Sequence, residues 1–157
     1  MTTQPAALPP RWFIRTMWVG HRALFRLTGG RAVLVLPARG RRFGRLRLTT
    51  TGRRTGEPRV AILGYIEDGG NLVTLAMNGW GDPEPAWWLN LQSAAEAQVE
   101  LVGERRRVVA RNAVGEERER LWAEVQNYPG WGEDLERFAV HRSSTAVVVF
   151  EASGQND

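Results

Sequence analysis

The chain contains no cysteine. Disulfides, thiolate nucleophiles, iron–sulfur clusters and cysteine-ligated zinc are therefore excluded. The only histidines are His21 and His141, too few for a histidine-rich metal site, and no metal is expected. No apolar run approaches the roughly 20 residues that a membrane-spanning helix needs. The N-terminus lacks the apolar core and cleavage site of a signal peptide. Together these absences predict a cytoplasmic protein without a metal centre.

Lysine is also missing, so all 21 basic residues are arginine. Every cationic side chain is therefore planar, permanently charged and able to bind an anion through two parallel hydrogen bonds. The net charge of +4 indicates an anionic partner, such as a phosphorylated cofactor, a lipid surface or nucleic acid. The length of 157 residues and the 43% hydrophobic content are typical of one folded domain. Seven tryptophans predict an aromatic pocket or interface.

Residues 46–59 carry the strongest local pattern. Apolar and polar side chains alternate as far as Thr51, which predicts a β-strand. Gly52 and Gly56 then bracket two arginines and a threonine, and Pro58 starts a second extended segment. Backbone N–H groups and guanidinium groups in such a turn can surround a phosphate or a carboxylate. The alternative is a hairpin turn whose arginines are merely solvated.

Residues 11–27 predict an amphipathic helix with four arginines in one narrow sector and apolar residues opposite. The two sets are Arg11, Arg15, Arg22 and Arg26, and Phe13, Met17, Leu24 and Leu27. In one interpretation the apolar face packs on the domain. In the other, the arginines contact anionic lipid headgroups while nearby aromatic residues enter the membrane interface.

The remaining pattern predicts an α+β protein, most simply a small antiparallel barrel with flanking helices. Strands are predicted at 32–36, 59–67, 72–77, 98–102, 105–111 and 145–150, and helices at 86–91 and 116–126. A short helix is expected to end at Phe138. Asp68-Gly69-Gly70-Asn71 predicts a hairpin turn. The later helix is expected to carry a Glu116–Arg120 pair and to turn Leu121, Trp122 and Val125 inward.

Several motifs in a fixed order resemble the deazaflavin-dependent nitroreductase family. They are LTTTGRRTGEPR at 48–59, DGG at 68–70, NG at 78–79, PAWWLNL at 85–91, GEER at 115–118 with Trp122, and YP at 128–129. The resemblance implies a split β-barrel of about six or seven mostly antiparallel strands. It implies a reductase that binds coenzyme F-420, an 8-hydroxy-5-deazaflavin, and transfers its hydride to a quinone, an enone or a nitroaromatic compound. FMN is the less favoured ligand.

The resemblance also implies an organisation and a set of site residues. A tail and basic helix occupy 1–30, the cofactor-binding barrel 31–152 and a polar tail 153–157, and a homodimer is compatible with this. By position, the phosphate and acidic tail of the cofactor would be held by Arg53, Arg54, Thr55 and Gly56, supported by Arg59. The deazaflavin ring and its linker would be lined by Ala76, Met77, Asn78, Gly79 and Trp80, and Trp87 would close the pocket. Leu48 and Thr49 are further expected cofactor-binding residues. Trp131 would cover the ring, and Tyr128 would lie near the substrate, as the two catalytic positions.

Two departures from the family pattern affect these expectations. Asn78 stands where the family often has a lysine, and Gly64 stands where a substrate-side tyrosine is expected. The neighbouring Tyr65 cannot replace that tyrosine, because a shift of one residue along a strand reverses the face. Both departures favour the alternative of a non-catalytic protein that carries deazaflavin or FMN. A third alternative, a basic nucleic-acid-binding barrel based on residues 39–47, is not expected because no aromatic stacking series accompanies the arginines.

Overall fold

The computed structural model describes residues 11–28, 32–77, 83–130 and 145–154. Within these ranges six antiparallel strands close into a barrel in the order β1-β2-β3-β6-β5-β4. The strands are β1 (Gly44–Thr51), β2 (Pro58–Asp68), β3 (Asn71–Leu75), β4 (Glu96–Leu101), β5 (Glu104–Asn112) and β6 (Val147–Ala152). The helices are α1 (Arg11–Thr28), α2 (Ala86–Ser93) and α3 (Gly115–Val125). This architecture confirms the predicted α+β split barrel.

Apolar side chains at alternate positions of the strands fill the inside of the barrel. Leu46 and Leu48 of β1 are fully buried, and the register places Leu48 opposite Ala61 of β2. Successive side chains of a strand point to opposite faces, so the apolar half of each strand points inward. Helix α2 closes one end of this core with Trp87 and Trp88. The hairpin turn between β2 and β3 is confirmed, since Gly69 and Gly70 have positive φ and Asp68 pairs with Asn71.

A second apolar cluster lies outside the barrel, where α3 covers β3 and β6. Leu121 and Val125 are fully buried there against strand residues such as Val73 and Val149. Trp122 is half-buried at the edge of the same cluster. The predicted inward face of α3 is therefore confirmed.

The strand predicted at 32–36 is wrong, and the ends of β3, β4 and β6 differ from the predicted ones by up to two residues. Residues 32–36 form a turn with a single bridge between Val35 and Arg45, instead of a strand. Pro37 follows at once, lacks an N–H group and cannot extend a ladder. Strand β3 ends at Leu75 instead of Met77, because the Met77 N–H bonds back to the Leu75 carbonyl at 2.9 Å.

The predicted Glu116–Arg120 pair is also wrong. Arg120 instead donates to both carboxylate oxygens of Asp68, at 2.7 and 2.9 Å. Glu117, which follows Glu116 on the same helix, accepts two hydrogen bonds from Arg111, at 2.6 and 2.8 Å. Bidentate pairs that join separate elements are stronger than a solvated pair along one helix. The short helix expected to end at Phe138 lies outside the described residues.

Helix α1 is confirmed, and the two described residues of its predicted apolar face are exposed. Leu24 is 41% and Leu27 84% exposed. The side chains of Phe13 and Met17 are outside the described part of the chain. Among the residues that the structure describes, no helix is long and apolar enough to cross a membrane.

The bidentate pair between Arg111 and Glu117 gives a pH-dependent contribution to stability. The Arg111 guanidinium lowers the pKa of the Glu117 carboxyl below its usual value. Stability from a carboxyl with a lowered pKa is complete above its unfolded-state pKa, about 4.3, and is lost as the pH falls through the lower folded-state value. We expect Glu117→Gln to reduce the free energy of unfolding at pH 7 and to match the wild type near the acid limit. Urea unfolding at a series of pH values measures this.

Glu116→Gln is the matched control, because both glutamates lie in the first turn of α3. It removes the same charge beside the same helix N-terminus but not the bonds to Arg111. A stability loss for Glu116→Gln as large as that for Glu117→Gln would show that the helix dipole, and not the ion pair, is responsible.

Candidate functional site: an arginine-lined cavity

A cavity of about 760 Å³ lies between α1, the turn that joins β1 to β2, and the start of α2. It is lined by Arg15, Val19, Arg22, Arg26, Gly52, Arg53, Arg54, Thr55, Pro58, Arg59, Val60, Ala61, Pro85, Ala86, Trp87 and Asn90. The lining therefore combines a strongly cationic set with an apolar one. Cavities of this size are typical of small-molecule and cofactor sites.

The β1–β2 turn is closed by its own hydrogen bonds. The Gly52 N–H donates to the Glu57 carbonyl and the Gly56 N–H to the Gly52 carbonyl, both at 2.8 Å. Gly56 has a φ of +71°, which residues with a Cβ rarely adopt. The Thr55 hydroxyl oxygen accepts bonds from the Glu57 N–H and from Arg59 Nη2, both at 3.3 Å. The turn therefore holds the Arg59 side chain beside the cavity.

Asn90 of α2 fixes this turn against the helix. Its Oδ1 accepts from the Arg53 backbone N–H at 3.2 Å and from Arg53 Nη1 at 3.3 Å. Its Nδ2 donates to the Thr50 hydroxyl at 3.1 Å. Asn90 is only 4% exposed, so its amide depends on these partners. Asn90 was not predicted as a site residue, although an asparagine inside the apolar run PAWWLNL is a detectable signal.

Positive charge reaches the cavity from two directions. Arg53, Arg54 and Arg59 come from the turn, and α1 contributes three more arginines. Within the described ranges, the ion pairs involve none of the three turn arginines. The first N–H groups of α2 lie at Ala86, where a helix N-terminus adds partial positive charge. The cavity thus favours an anion.

The donor set suits a cofactor that carries a phosphate and a planar ring. Three turn guanidinium groups and a helix N-terminus are typical phosphate ligands. Val60, Ala61 and Trp87 add apolar surface for a ring. Gly52 has no room to spare, since an added Cβ would lie 3.0 Å from the Glu57 carbonyl oxygen and 3.2 Å from Thr55 Oγ1. A larger residue at that position would therefore require the turn to shift by a few tenths of an ångström.

The structure brings together part of the predicted site. Arg53, Arg54, Thr55, Arg59 and Trp87 line the cavity, and Gly56 shapes the turn. The predicted residues that do not line it are Leu48 and Ala76, which are fully buried, half-buried Thr49 and Met77, and Tyr128. Asn78, Gly79, Trp80 and Trp131 lie outside the described residues. The arginines of α1 were not predicted to take part.

Gly64 and Tyr65 confirm the expected reversal of faces. Tyr65 points into the barrel and is fully buried, and burial raises its pKa to about 12. Gly64 faces outward, where an added Cβ would lie 3.1 Å from the ring of Phe43. The outer position at 64 is therefore covered by an aromatic ring from the segment before β1.

Tyr128 lies in the second apolar cluster, which also includes Met77 at its margin. Burial is the main cause that raises the pKa of its hydroxyl, with the Glu124 carboxylate adding to it. The Tyr128 hydroxyl is therefore neutral and able to donate a hydrogen bond at physiological pH.

The fold and the site together define a class of protein, namely a closed antiparallel barrel with an arginine-lined cavity that suits an anionic cofactor. The sequence model described as F420H(2)-dependent quinone reductase matches residues 19–151. The chain belongs to this family. It is an oxidoreductase whose cofactor is coenzyme F-420.

Individual relatives agree with the family. The F420H(2)-dependent quinone reductase Rv1261c of Mycobacterium tuberculosis is 33% identical over 106 residues, which cover 64% of this chain and 68% of that protein. A solved structure described as an F420-H2 dependent reductase (FDR-A) has a TM-score of 0.60 at 25% identity, covering 68% of this chain and 93% of that one. Another, described as a domain-swapped dimer, has a TM-score of 0.63 at 26% identity and covers 87% and 99%.

The role of Asn90 can be tested by truncation. We expect Asn90→Ala to lower the free energy of unfolding by about 1–3 kcal/mol, because it removes the two bonds to Arg53 and the buried bond to the Thr50 hydroxyl. It should also weaken cofactor binding, because the turn is no longer fixed. Denaturant unfolding and fluorescence titration measure the two effects. Gln92→Ala, an exposed change on the same helix, should leave both near wild type. Equal effects from the two variants would contradict this role.

Proposed function

We propose that the cavity holds coenzyme F-420 with its phosphate in the β1–β2 turn, in contact with Arg53, Arg54 and Arg59. The observation that carries this proposal is the convergence of these side chains on one cavity beside the N-terminus of α2. The apolar part of the lining, including Ala61 and Trp87, would contact the ring. The cofactor when bound supplies the hydride that reduces an electron-poor substrate such as a quinone.

The chain itself contributes alignment and electrostatics. Fixing the phosphate at a rigid turn restricts the positions that the rest of the cofactor can take, and correct alignment of donor and acceptor lowers the barrier substantially. The Arg53–Asn90 bonds hold that turn against α2. Preorganised donors of this kind are the protein's part in a cofactor-dependent reaction.

On the substrate side, we propose that Tyr128 donates a hydrogen bond to the oxygen that gains negative charge. Tyr128 shares a cluster with Met77, which immediately precedes residues 78–82, where ring contacts are expected. Its pKa is raised, so the hydroxyl keeps its proton at neutral pH. A neutral donor aimed at developing charge stabilises a transition state. Trp131, outside the described residues, remains the proposed ring cover.

Arg54→Ala tests the phosphate site. We expect it to weaken coenzyme F-420 binding by about tenfold to a hundredfold, the usual range for loss of a charge-assisted hydrogen bond. Fluorescence titration of the oxidised coenzyme measures the dissociation constant, and FMN titrated in parallel should bind more weakly to the wild type.

Arg107→Ala is the matched control, because Arg107 is exposed on β5 and does not line the cavity. It removes the same charge and should leave the affinity near that of the wild type. If both variants weaken binding equally, general charge and not the turn attracts the coenzyme.

Tyr128→Phe tests the donor. We expect kcat/KM for a quinone to fall by about tenfold to a hundredfold while coenzyme affinity stays unchanged, because only the developing charge would contact the hydroxyl. Steady-state kinetics with menadione measures this, and the unfolding midpoint checks the packing. An unchanged kcat/KM would assign Tyr128 to packing alone.

Four further assignments remain proposals. Peripheral contact of residues 11–27 with an anionic membrane is supported by the exposure of Trp12 and Leu27, at 67% and 84%. Against it, the described arginines of this helix line the cavity. A cytoplasmic location, a homodimer and the division into 1–30, 31–152 and 153–157 stay predictions.

The alternative of a non-catalytic carrier differs from a reductase in one measurable respect. A carrier would bind the coenzyme tightly without turnover of any quinone.

A further inference from the structure

The ring of Phe43 covers the outward face of β2 at Gly64. A Cβ added to Gly64 would lie 3.1 Å from Phe43 Cδ2 and 3.2 Å from Cε2. A Cβ added to Gly130 would lie 3.8 Å from Cε1 of the same ring. The Phe43 side chain is half-buried and packs against the second apolar cluster, which contains Tyr128. Part of an aromatic side chain therefore stays accessible close to the proposed hydrogen-bond donor.

The outward face of β2 connects this ring with the arginine-lined cavity. Alternate residues of a strand share a face, and the outward face of β2 extends from Val60 through Gly64 to Ile66. Val60 lines the cavity, and Ile66 belongs to the cluster that contains Tyr128. At about 3.3 Å per residue, Gly64 lies about 13 Å along the strand from Val60. A cofactor with its phosphate at the β1–β2 turn would therefore direct its distant end toward Phe43.

The backbone that carries Phe43 is anchored on both sides of the ring. Before it, the Gly40 N–H donates to the Asn127 carbonyl at 3.1 Å. After it, Gly44 packs so closely on the barrel that an added Cβ would lie 2.5 Å from Tyr65 Cε1. An aromatic ring on an anchored backbone can discriminate between ligands by their shape.

Phe43 also lies between the two segments that are expected to contact the deazaflavin ring. Met77 packs against the same cluster and immediately precedes residues 78–80. Gly130, which lies beside the Phe43 ring, immediately precedes Trp131. An electron acceptor that stacks on a deazaflavin held between these segments would have Phe43 as a neighbour.

We infer that Phe43 is a specificity-determining residue, whose ring forms one wall of the acceptor site and favours quinones fused to a benzene ring over monocyclic quinones. The inference rests on the proposed acceptor site beside Tyr128 and deepens it. Contact between aromatic rings adds to the affinity of a fused acceptor, because its second ring can meet Phe43 while its quinone ring faces the deazaflavin. Gly64 leaves the space that the Phe43 ring occupies, so the two residues act together.

The test compares menadione, a quinone fused to a benzene ring, with the monocyclic duroquinone on wild type and on Phe43→Leu. Leucine keeps an apolar side chain and removes the ring. The KM for menadione should rise about threefold to tenfold with kcat little changed, as expected when binding contact with one aromatic ring is lost. The KM for duroquinone should change by less than about twofold. Coenzyme affinity and the unfolding midpoint should stay near those of the wild type.

The ring can also be returned from the neighbouring strand. The φ of Gly64 lies outside the left-handed region, so its backbone accepts a side chain. Phe43→Ala/Gly64→Tyr opens the space and supplies an aromatic ring from β2. This double variant should recover the preference for menadione that Phe43→Leu loses.

The outcomes separate the inference from the proposal on which it rests. An equal rise of KM for both quinones, or no rise for either, would overturn the inference and assign Phe43 to packing. A lost preference in Phe43→Leu together with unchanged kcat/KM in Tyr128→Phe would support the wall and reject the donor. Reduction of neither quinone by the wild type would reject the acceptor site and the wall with it.

Discussion

The bonds between Asn90 and the β1–β2 turn are the constraint on which the candidate site depends. One buried amide joins the end of β1, the backbone of Arg53 and helix α2. The turn and the start of α2 consequently keep a fixed separation. Because the amide is removed from water, any other arrangement of the turn would leave polar atoms unsatisfied. The closed barrel supplies the rigid support, and Asn90 transmits that rigidity to the residues proposed to hold the phosphate.

The positive charges of the arginines around the cavity destabilise this arrangement. Like charges repel, and the described residues offer them no carboxylate within the cavity lining. Arginines elsewhere are compensated differently, as where Arg111 bridges Glu117 and Glu151. The contrast separates structural arginines from those suited to a ligand. An anionic cofactor would relieve the repulsion and stabilise the folded protein by mass action.

Sequence patterns predicted the barrel well because alternation and glycine turns are local signals. The prediction of a strand at 32–36 was wrong because the composition of a segment with a single β-bridge is the same as that of a short strand. Arg53, Arg54 and Arg59 could be found because they flank one turn. The arginines of α1 were predicted to share one basic face. The surface or ligand that this face contacts could not be predicted, because periodicity shows only which residues lie on the same side of a helix. Asn90 was not predicted because its two partner residues, Arg53 and Thr50, are distant in sequence.

The departures at Asn78 and Gly64 do not by themselves indicate loss of catalysis. A cofactor carries the hydride, so the protein needs to position it and need not provide a reacting group. One lysine contributes a single cation, whereas the cavity already has arginines on two walls. At position 64 the ring of Phe43 occupies the outward face, so an aromatic surface persists there from a different residue. A positive charge in the cavity and an aromatic ring beside position 64 are thus available from other residues, which favours a working reductase over a carrier.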